Sequence, residues 1–124
     1  MNESCQTVVV LGASPKPDRY SNKAIRLLLE YGHTVIPVHP AITEIEGLEA
    51  KSSLGTISES VDTLTMYVSP SISNSMAEQI IGLNPKRVIF NPGTENPILS
   101  RALESAGIET EEACTLVLLN TGQF

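Results

Sequence analysis

The sequence predicts an α/β fold, a doubly wound parallel sheet of about five strands with helices on both faces. Three observations carry that prediction. The first apolar run, Val8-Val9-Val10-Leu11, shows no polar alternation, the pattern of a strand buried on both sides. Such runs alternate with stretches of helical periodicity in the order β-α-β-crossover-β-α-β-α-β. Finally, the first four strands are each followed within a few residues by a proline: Pro15, Pro40, Pro70 and Pro92.

The first strand occupies residues 7–11 and ends at Gly12. Ser21 is the expected N-cap of a helix running to about residue 31, with Ala24, Ile25, Leu27, Leu28 and Leu29 as a broad inward stripe and Gly32 as its stop. Residues 33–38 form the second strand, where Pro37 removes a ladder donor and so requires a bulge or a near-end position. Residues 41–60 lack periodicity, with Ile42, Ile45, Leu48, Leu54 and Ile57 irregularly spaced between turns at Gly47 and Gly55. They predict a long crossover with a short helix near Ser58. A third strand at 63–68 leads into a helix capped by Ser71 or Ser73, running through about residue 81, with Met76, Ile80 and Ile81 inward and Gly82 ending it. The fourth strand is 86–90. Thr94 caps a helix from 95 to about 106, in which Pro97 is tolerated because first-turn N–H groups have no partner anyway. Gly107 closes that helix, 108–111 is a short fifth strand, and 115–119 is a terminal helix or an extension.

With 124 residues the chain has room for one core, so residues 1–124 are expected to form one domain. A composition of 41% hydrophobic and 18% charged residues is ordinary for a globular protein. No apolar run approaches the ~20 residues of a membrane span, and residues 1–5 lack the basic-then-apolar order of a signal peptide. A cytoplasmic setting with no membrane partner is therefore expected. Cys5 and Cys114 make neither a disulfide framework nor a metal spacing, so free thiols are expected. The net charge of −6 argues against an extended nucleic-acid surface. Its distribution is more telling. Lys16, Arg19, Lys23 and Arg26 are four of the eight Lys and Arg residues, and Asp18 is the one acid in the window 16–26. A cation near a helix N-terminus opposes the helix dipole by up to ~1 kcal/mol, an objection that a bound anion removes.

Residues 8–23 thus combine a strand, a tight loop and a helix start, the geometry in which α/β proteins hold phosphate on backbone N–H donors. In such sheets ligands sit beyond the carboxyl ends of the strands, where strand order reverses. The loops at those ends carry Gly12, Ala13, Ser14, Pro15 and Lys16, then His39 and Pro40, Ser69 and Pro70, and Asn91 with Gly93. The dinucleotide fingerprint G-x-G-x-x-G is not met, because Ser14 and Pro17 occupy its second and third glycine positions. His39-Pro40 also stands where an acid would read a ribose 2′-hydroxyl. No acid or nucleophile is tied to His39 by spacing, Asp62 and Glu95 are isolated carboxylates, and Cys114 is expected as a buried thiol. No catalytic residue and no metal ligand set is assigned.

Four segments together carry a resemblance: Val8-Val9-Val10-Leu11-Gly12-Ala13-Ser14-Pro15-Lys16-Pro17, Arg19-Tyr20-Ser21, Gly32-His33-Thr34-Val35-Ile36-Pro37-Val38-His39-Pro40 and Asn91-Pro92-Gly93-Thr94-Glu95-Asn96-Pro97. They resemble the small stand-alone CoA-binding proteins, whose Rossmann-like fold is similar to the CoA-binding domain of the succinyl-CoA synthetase α subunit. Residues 112–119 are similar to the ending of one branch of that family, so the resemblance spans nearly the whole chain. It implies coenzyme A, free or acylated, as the ligand. Its phosphates would lie on Gly12, Ala13, Ser14, Pro15 and Lys16 with Tyr20, Ser21 and Lys23. The adenosine would lie along His39 and Pro40, and Ser69, Pro70, Asn91 and Gly93 would line the crevice toward the pantetheine arm. An acid after Val38 would repel a 3′-phosphorylated ribose, and none stands there. Family members often carry Asn where His39 stands, and the resemblance implies no reaction. Two other readings stand beside it. One is an NAD(P)- or nucleotide-dependent oxidoreductase or transferase using the same crevice, with His39 or Cys114 reactive. The other is a CoA-sensing regulatory or interaction module with an unknown protein partner.

Overall fold

The computed structural model describes residues 5–124. In chain order the first half comprises β1 (Thr7–Leu11), α1 (Tyr20–Glu30), β2 (Thr34–Val38), β3 (Glu44–Ile45), β4 (Leu48–Glu49) and a 3-10 turn at Leu54–Thr56. The second half comprises β5 (Thr63–Met66), α2 (Pro70–Ser73), α3 (Ala77–Leu83), β6 (Arg87–Phe90), α4 (Pro97–Ser105), β7 (Glu109–Glu112) and α5 (Thr115–Asn120). Val8, Val9 and Val10 expose no surface, because β1 pairs with β2 on one side and β5 on the other. β6 and β7 extend this all-parallel sheet to the order β2-β1-β5-β6-β7. The chain runs outward from β1 to β2 and then returns past β1 to β5, so strand order reverses between β1 and β5.

Period-two alternation divides the side chains between two cores. Val9, Leu11, Ile36, Leu64, Met66, Val88 and Phe90 meet Ile80 of α3 and Leu99 and Leu103 of α4 on one face. Val8, Val10 and Val35 meet Ile25 and Leu28 of α1 and Leu119 of α5 on the other. Helices therefore cover both faces, and the ambiguous stretch 115–119 is helical.

Pro37 occupies the near-end position expected of it, one residue before the end of β2, and no bulge is needed. It pairs in register with Val10, and β2 is an edge strand. Its carbonyl accepts the Lys51 N–H at 2.9 Å, so its backbone faces away from β1 and the missing donor costs no ladder bond. Strand β2 starts at Thr34, one residue later than expected, β5 stops at Met66 rather than 68, β6 begins at Arg87, and β7 is shifted by one residue. In the crossover, β3 and β4 form a hairpin through Glu46 (φ 52°) and Gly47 (φ 77°), two left-handed residues as a tight two-residue turn demands. The 3-10 turn takes the place of a helix near Ser58.

The helix starts depart most from expectation. α1 begins at Tyr20 after Arg19, leaving Ser21 inside the helix and buried. The expected single helix after β5 is broken into α2 and α3, preceded by Ser69 and Met76, so neither Ser71 nor Ser73 acts as a cap. Asn96 holds that break by donating to Ser73 Oγ at 2.9 Å and Asn74 Oδ1 at 2.8 Å. Gly82 lies within α3, which ends instead at left-handed Asn84. Asn96 also caps α4, its Oδ1 accepting from Leu99 N at 3.2 Å. Thr94 does not cap because its hydroxyl donates to the Asn91 carbonyl at 2.8 Å.

His33, expected to open the second strand, is a buried tie between the sheet and the chain end. Its Nδ1 accepts the Gln6 N–H at 3.0 Å, and its ring stands edge-on to Phe124 at 5.1 Å. Burial, and then the nearby Arg87 guanidinium, hold its pKa below the ordinary imidazole value. The neutral ring is thus the folded form, whereas the unfolded chain gains a proton around pH 6.5. This contribution to stability is complete above that pH and is lost as the pH falls below it. The thermal midpoint, followed by circular dichroism, is expected to drop between about pH 7.5 and 5.5. His33→Gln, which keeps an acceptor but cannot gain the proton, is expected to flatten that slope.

Candidate functional site

The site begins with the turn that ends β1. Gly12 has φ +90°, and a Cβ there would lie 2.9 Å from Val68 Cγ1 and 3.0 Å from the Tyr67 carbonyl carbon. Both the backbone conformation and the available space therefore require glycine. Tyr67 N donates to the Leu11 carbonyl at 2.8 Å, and Ala13 N to the Val38 carbonyl at 3.2 Å. These bonds fix the loop across the ends of β1, β2 and β5, at the reversal of strand order.

Asn22, a residue that composition and spacing did not single out, secures the loop from below. It is fully buried, and its Nδ2 donates to the Ser14 carbonyl at 2.9 Å and to Glu46 Oε2 at 3.1 Å. Its Oδ1 accepts from Arg26 Nε at 2.8 Å, and Arg26 Nη2 reaches the Pro17 carbonyl at 2.8 Å. Arg26 is thus a brace for the loop. The sequence signal for Asn22 was its place three residues before buried Ile25, where a polar residue needs a buried partner, whereas Leu29, expected inward, is exposed.

The other three cations remain at the surface. Lys16 and Arg19 are exposed, and the Lys23 ammonium lies 5.1 Å from the Tyr20 ring centroid. Ser14 Oγ accepts the Lys16 N–H at 3.1 Å. The N–H groups of Tyr20, Ser21 and Asn22 have no acceptor among the described residues, and the first turn of α1 holds no acid. A positive, donor-bearing helix end therefore stands beside the glycine turn.

His39 shapes the neighbouring loop. Its Nδ1 accepts the N–H groups of Ala41 and Ile42, both at 2.9 Å, which fixes that nitrogen as an acceptor. Pro40 joins Gly12, Val38, Ser53, Val68 and Ile72 around a hollow of about 200 Å³. Ser69 lies just beyond Val68, its hydroxyl bonded to that of Ser71 at 2.9 Å, and Pro70 opens α2.

Asn91 is buried and its amide is fully engaged. Its Nδ2 donates to Thr65 Oγ1 at 2.7 Å and to the Met66 carbonyl at 2.8 Å, while its Oδ1 accepts from Thr115 N at 2.9 Å. The Thr65 and Thr115 hydroxyls bond each other at 2.8 Å, tying β5, β6 and α5 together. Asn91 also helps to line a second hollow, of about 280 Å³, with Tyr20, Tyr67, Pro92, Cys114 and Leu116. Burial pushes the Tyr67 phenol up to about 12, outweighing the lowering influence of the nearby Thr65 and Thr115 hydroxyls. Gly93 is exposed, left-handed at φ 91°, and lines neither hollow.

A larger and more open concavity, of about 520 Å³, lies at the opposite end of the sheet against Gln6, Asp62, Thr63, Lys86 and Arg87. Its cations are already matched: Lys86 pairs with Asp62 at 3.2 Å and Arg87 with Glu111 at 3.5 Å. Size alone would favour it, but the position of the strand-order reversal and the unmatched cations favour the other end. There the structure gathers Gly12 to Lys16, Tyr20, Ser21, Lys23, His39 and Pro40 around one turn. Tyr20 and Asn91 share the second hollow, while Ser69 and Pro70 follow the first.

A wholly parallel, doubly wound sheet with a tight glycine turn at its reversal point makes this a Rossmann-like α/β protein. The chain belongs to the CoA binding domain family, whose model matches residues 6–120. One crystal structure, of an uncharacterized protein, superposes with a TM-score of 0.93 at 41% identity, covering 98% of this chain and 100% of that one. A Thermus thermophilus protein superposes with a TM-score of 0.88 at 32% identity, covering 97% of this chain and 91% of that one. The curated Bacillus subtilis (strain 168) protein YneT is 35% identical over 60 residues, which is 48% of this chain and 44% of that relative's length. No helix of the described residues is long and apolar enough to cross a membrane.

The two demands on Gly12 can be separated by substitution. Gly12→Ala meets both a left-handed backbone and a clash, and is expected to destabilise the protein by on the order of 3 kcal/mol. Gly32 has φ +88°, but nothing lies within 4 Å of where its Cβ would stand, so Gly32→Ala is expected to cost only about 1 kcal/mol. Urea denaturation with an unchanged m-value checks both.

Proposed function

We propose that the protein binds coenzyme A at the carboxyl ends of β1, β2, β5 and β6, acting as a holder of the cofactor with no residue assigned to catalysis. The observation that carries this reading is the donor-bearing start of α1, surrounded by Lys16, Arg19 and Lys23 behind a glycine turn, in a chain of the CoA binding domain family. In this reading the diphosphate rests on Gly12, Ala13, Ser14, Pro15 and Lys16. The amides of Tyr20 and Ser21 and the ammonium of Lys23 complete its surroundings. The adenosine occupies the hollow beside Pro40, in a loop whose shape His39 sets. The pantetheine arm passes Ser69 and Pro70 toward Asn91 and Gly93. Asn91 contributes to the wall of this path and not through its amide, which is engaged elsewhere.

A thermal-shift panel of CoA, NAD, NADP and ADP tests the reading. At about 100 times its dissociation constant a ligand adds about 2.7 kcal/mol of stability, and CoA is expected to give the largest shift. A shift with NAD and none with CoA would overturn it. Lys16→Ala combined with Lys23→Ala is expected to weaken CoA binding at least tenfold, since charge-assisted hydrogen bonds are each worth about 1.5–3 kcal/mol. Both lysines lie outside the core, so the ligand-free midpoint should stay close to that of the parent.

A further inference from the structure

Resting on the CoA reading above, we infer that the hollow between Tyr67 and Cys114 is an acyl pocket, and that the preferred ligand is a CoA thioester with a short apolar acyl group. Position is the first argument. Asn91 lines this hollow and also stands at the far end of the proposed pantetheine path, so the hollow opens where that arm would end.

Polarity is the second argument. The Asn91 amide is spent on Thr65, Met66 and Thr115, the Thr65 and Thr115 hydroxyls bond each other, and the Tyr67 phenol lies near the same two threonines. What remains to line the space is mainly carbon from Tyr20, Tyr67, Pro92 and Leu116, with the Cys114 sulfur. No charged residue lines it, and the phenol of Tyr67 stays neutral at physiological pH. A carboxylate brought here would lose its water without gaining a partner, whereas an alkyl chain loses nothing.

Size is the third argument. At about 280 Å³ the hollow is roughly twice the 150 Å³ that accommodates a benzene ring. That suffices for the thioester and a chain of about four to six carbons, whereas the bare thiol of free CoA would leave most of it unfilled. The buried bonds around Asn91 hold this shape before any ligand arrives, so little ordering is needed on binding.

Titration calorimetry with free CoA, acetyl-CoA, butyryl-CoA and succinyl-CoA tests the inference. Each buried methylene raises affinity roughly fourfold, so butyryl-CoA is expected to bind about tenfold or more tighter than free CoA. Succinyl-CoA, equal in chain length but ending in a carboxylate, is expected to bind no tighter than free CoA. Leu116→Trp, which fills the hollow, is expected to abolish the butyryl advantage. Should that variant fail to fold, the ligand series on the parent protein decides alone. If CoA binds and butyryl-CoA is no tighter, or succinyl-CoA is the tightest, the acyl pocket is overturned and the CoA reading stands. If none of the four binds, the CoA reading is overturned and the pocket assignment falls with it.

Discussion

At the end of β1 the chain must turn while lying against the exit of β5, and only a residue without a side chain fits. Gly12 meets this constraint by adopting a left-handed backbone and by leaving room for Val68 and the Tyr67 backbone. Two hydrogen bonds then gather three strands at one point: Tyr67 N to the Leu11 carbonyl and Ala13 N to the Val38 carbonyl. Everything proposed for the site follows from that convergence. The entry into α1 is set by it, and the two hollows open on either side of the Tyr67–Val68 step. Tyr67 lines one hollow and Val68 the other, just beyond the end of β5.

Buried asparagines do for the loops what large aromatic side chains do in other small domains; only 4% of the residues here are aromatic. Asn22 ties α1 to the glycine loop and to the β3–β4 hairpin. Asn91 joins β6 to β5 and α5, and Asn96 joins the α2–α3 break to the start of α4. Among the described residues, no buried side-chain nitrogen or oxygen lacks a partner. Each such tie is costly to sever, because the group left behind stays buried and unsatisfied, at about 1–3 kcal/mol. The loops at the carboxyl ends of the strands are therefore held by directional bonds as well as by apolar contact.

The sheet and the glycine turn could be read from the sequence because they depend on local signals: unbroken apolar runs, alternation with helical stripes, and a glycine followed by small residues. The caps could not. Ser21, Ser71, Ser73 and Thr94 all have side chains suited to capping, yet Ser21 is inside α1 and Thr94 bonds Asn91. Which polar residue caps a helix was decided by tertiary partners, and Asn96 was selected because it also reaches Ser73 and Asn74. Pro37 announced a conflict that its near-end position was expected to ease, and strand order completes the answer, since at the sheet edge its missing donor faces away from β1. In the site, the loop and its cations were legible, whereas the bracing role of Arg26 depends on where Asn22 points. The second hollow depended on 115–119 being a helix, which the periodicity left open. His39 is instructive in another way. Its ring nitrogen accepts two backbone amides ahead of it, a task that an asparagine carbonyl performs equally well. A His-to-Asn exchange at this position would therefore preserve the turn.

Charge distinguishes the two ends of the sheet more clearly than shape does. At the amino ends of the strands, Lys86 and Arg87 are each matched by a carboxylate, and Arg87 also stacks on Phe124 at 4.7 Å. At the carboxyl ends, Lys16, Arg19 and Lys23 have no carboxylate partner among the described residues, although Asp and Glu outnumber Lys and Arg by 14 to 8 in the chain. An acidic protein that leaves three neighbouring cations unmatched beside a donor-bearing helix end keeps a local field of the opposite sign to its net charge. Such a field attracts anions to that end and disfavours them elsewhere on the surface. At the other end the cations are neutralised by Asp62 and Glu111, so no comparable field arises there. One chain thus separates structural ion pairs from unpaired cations by placing them at opposite ends of the same five strands.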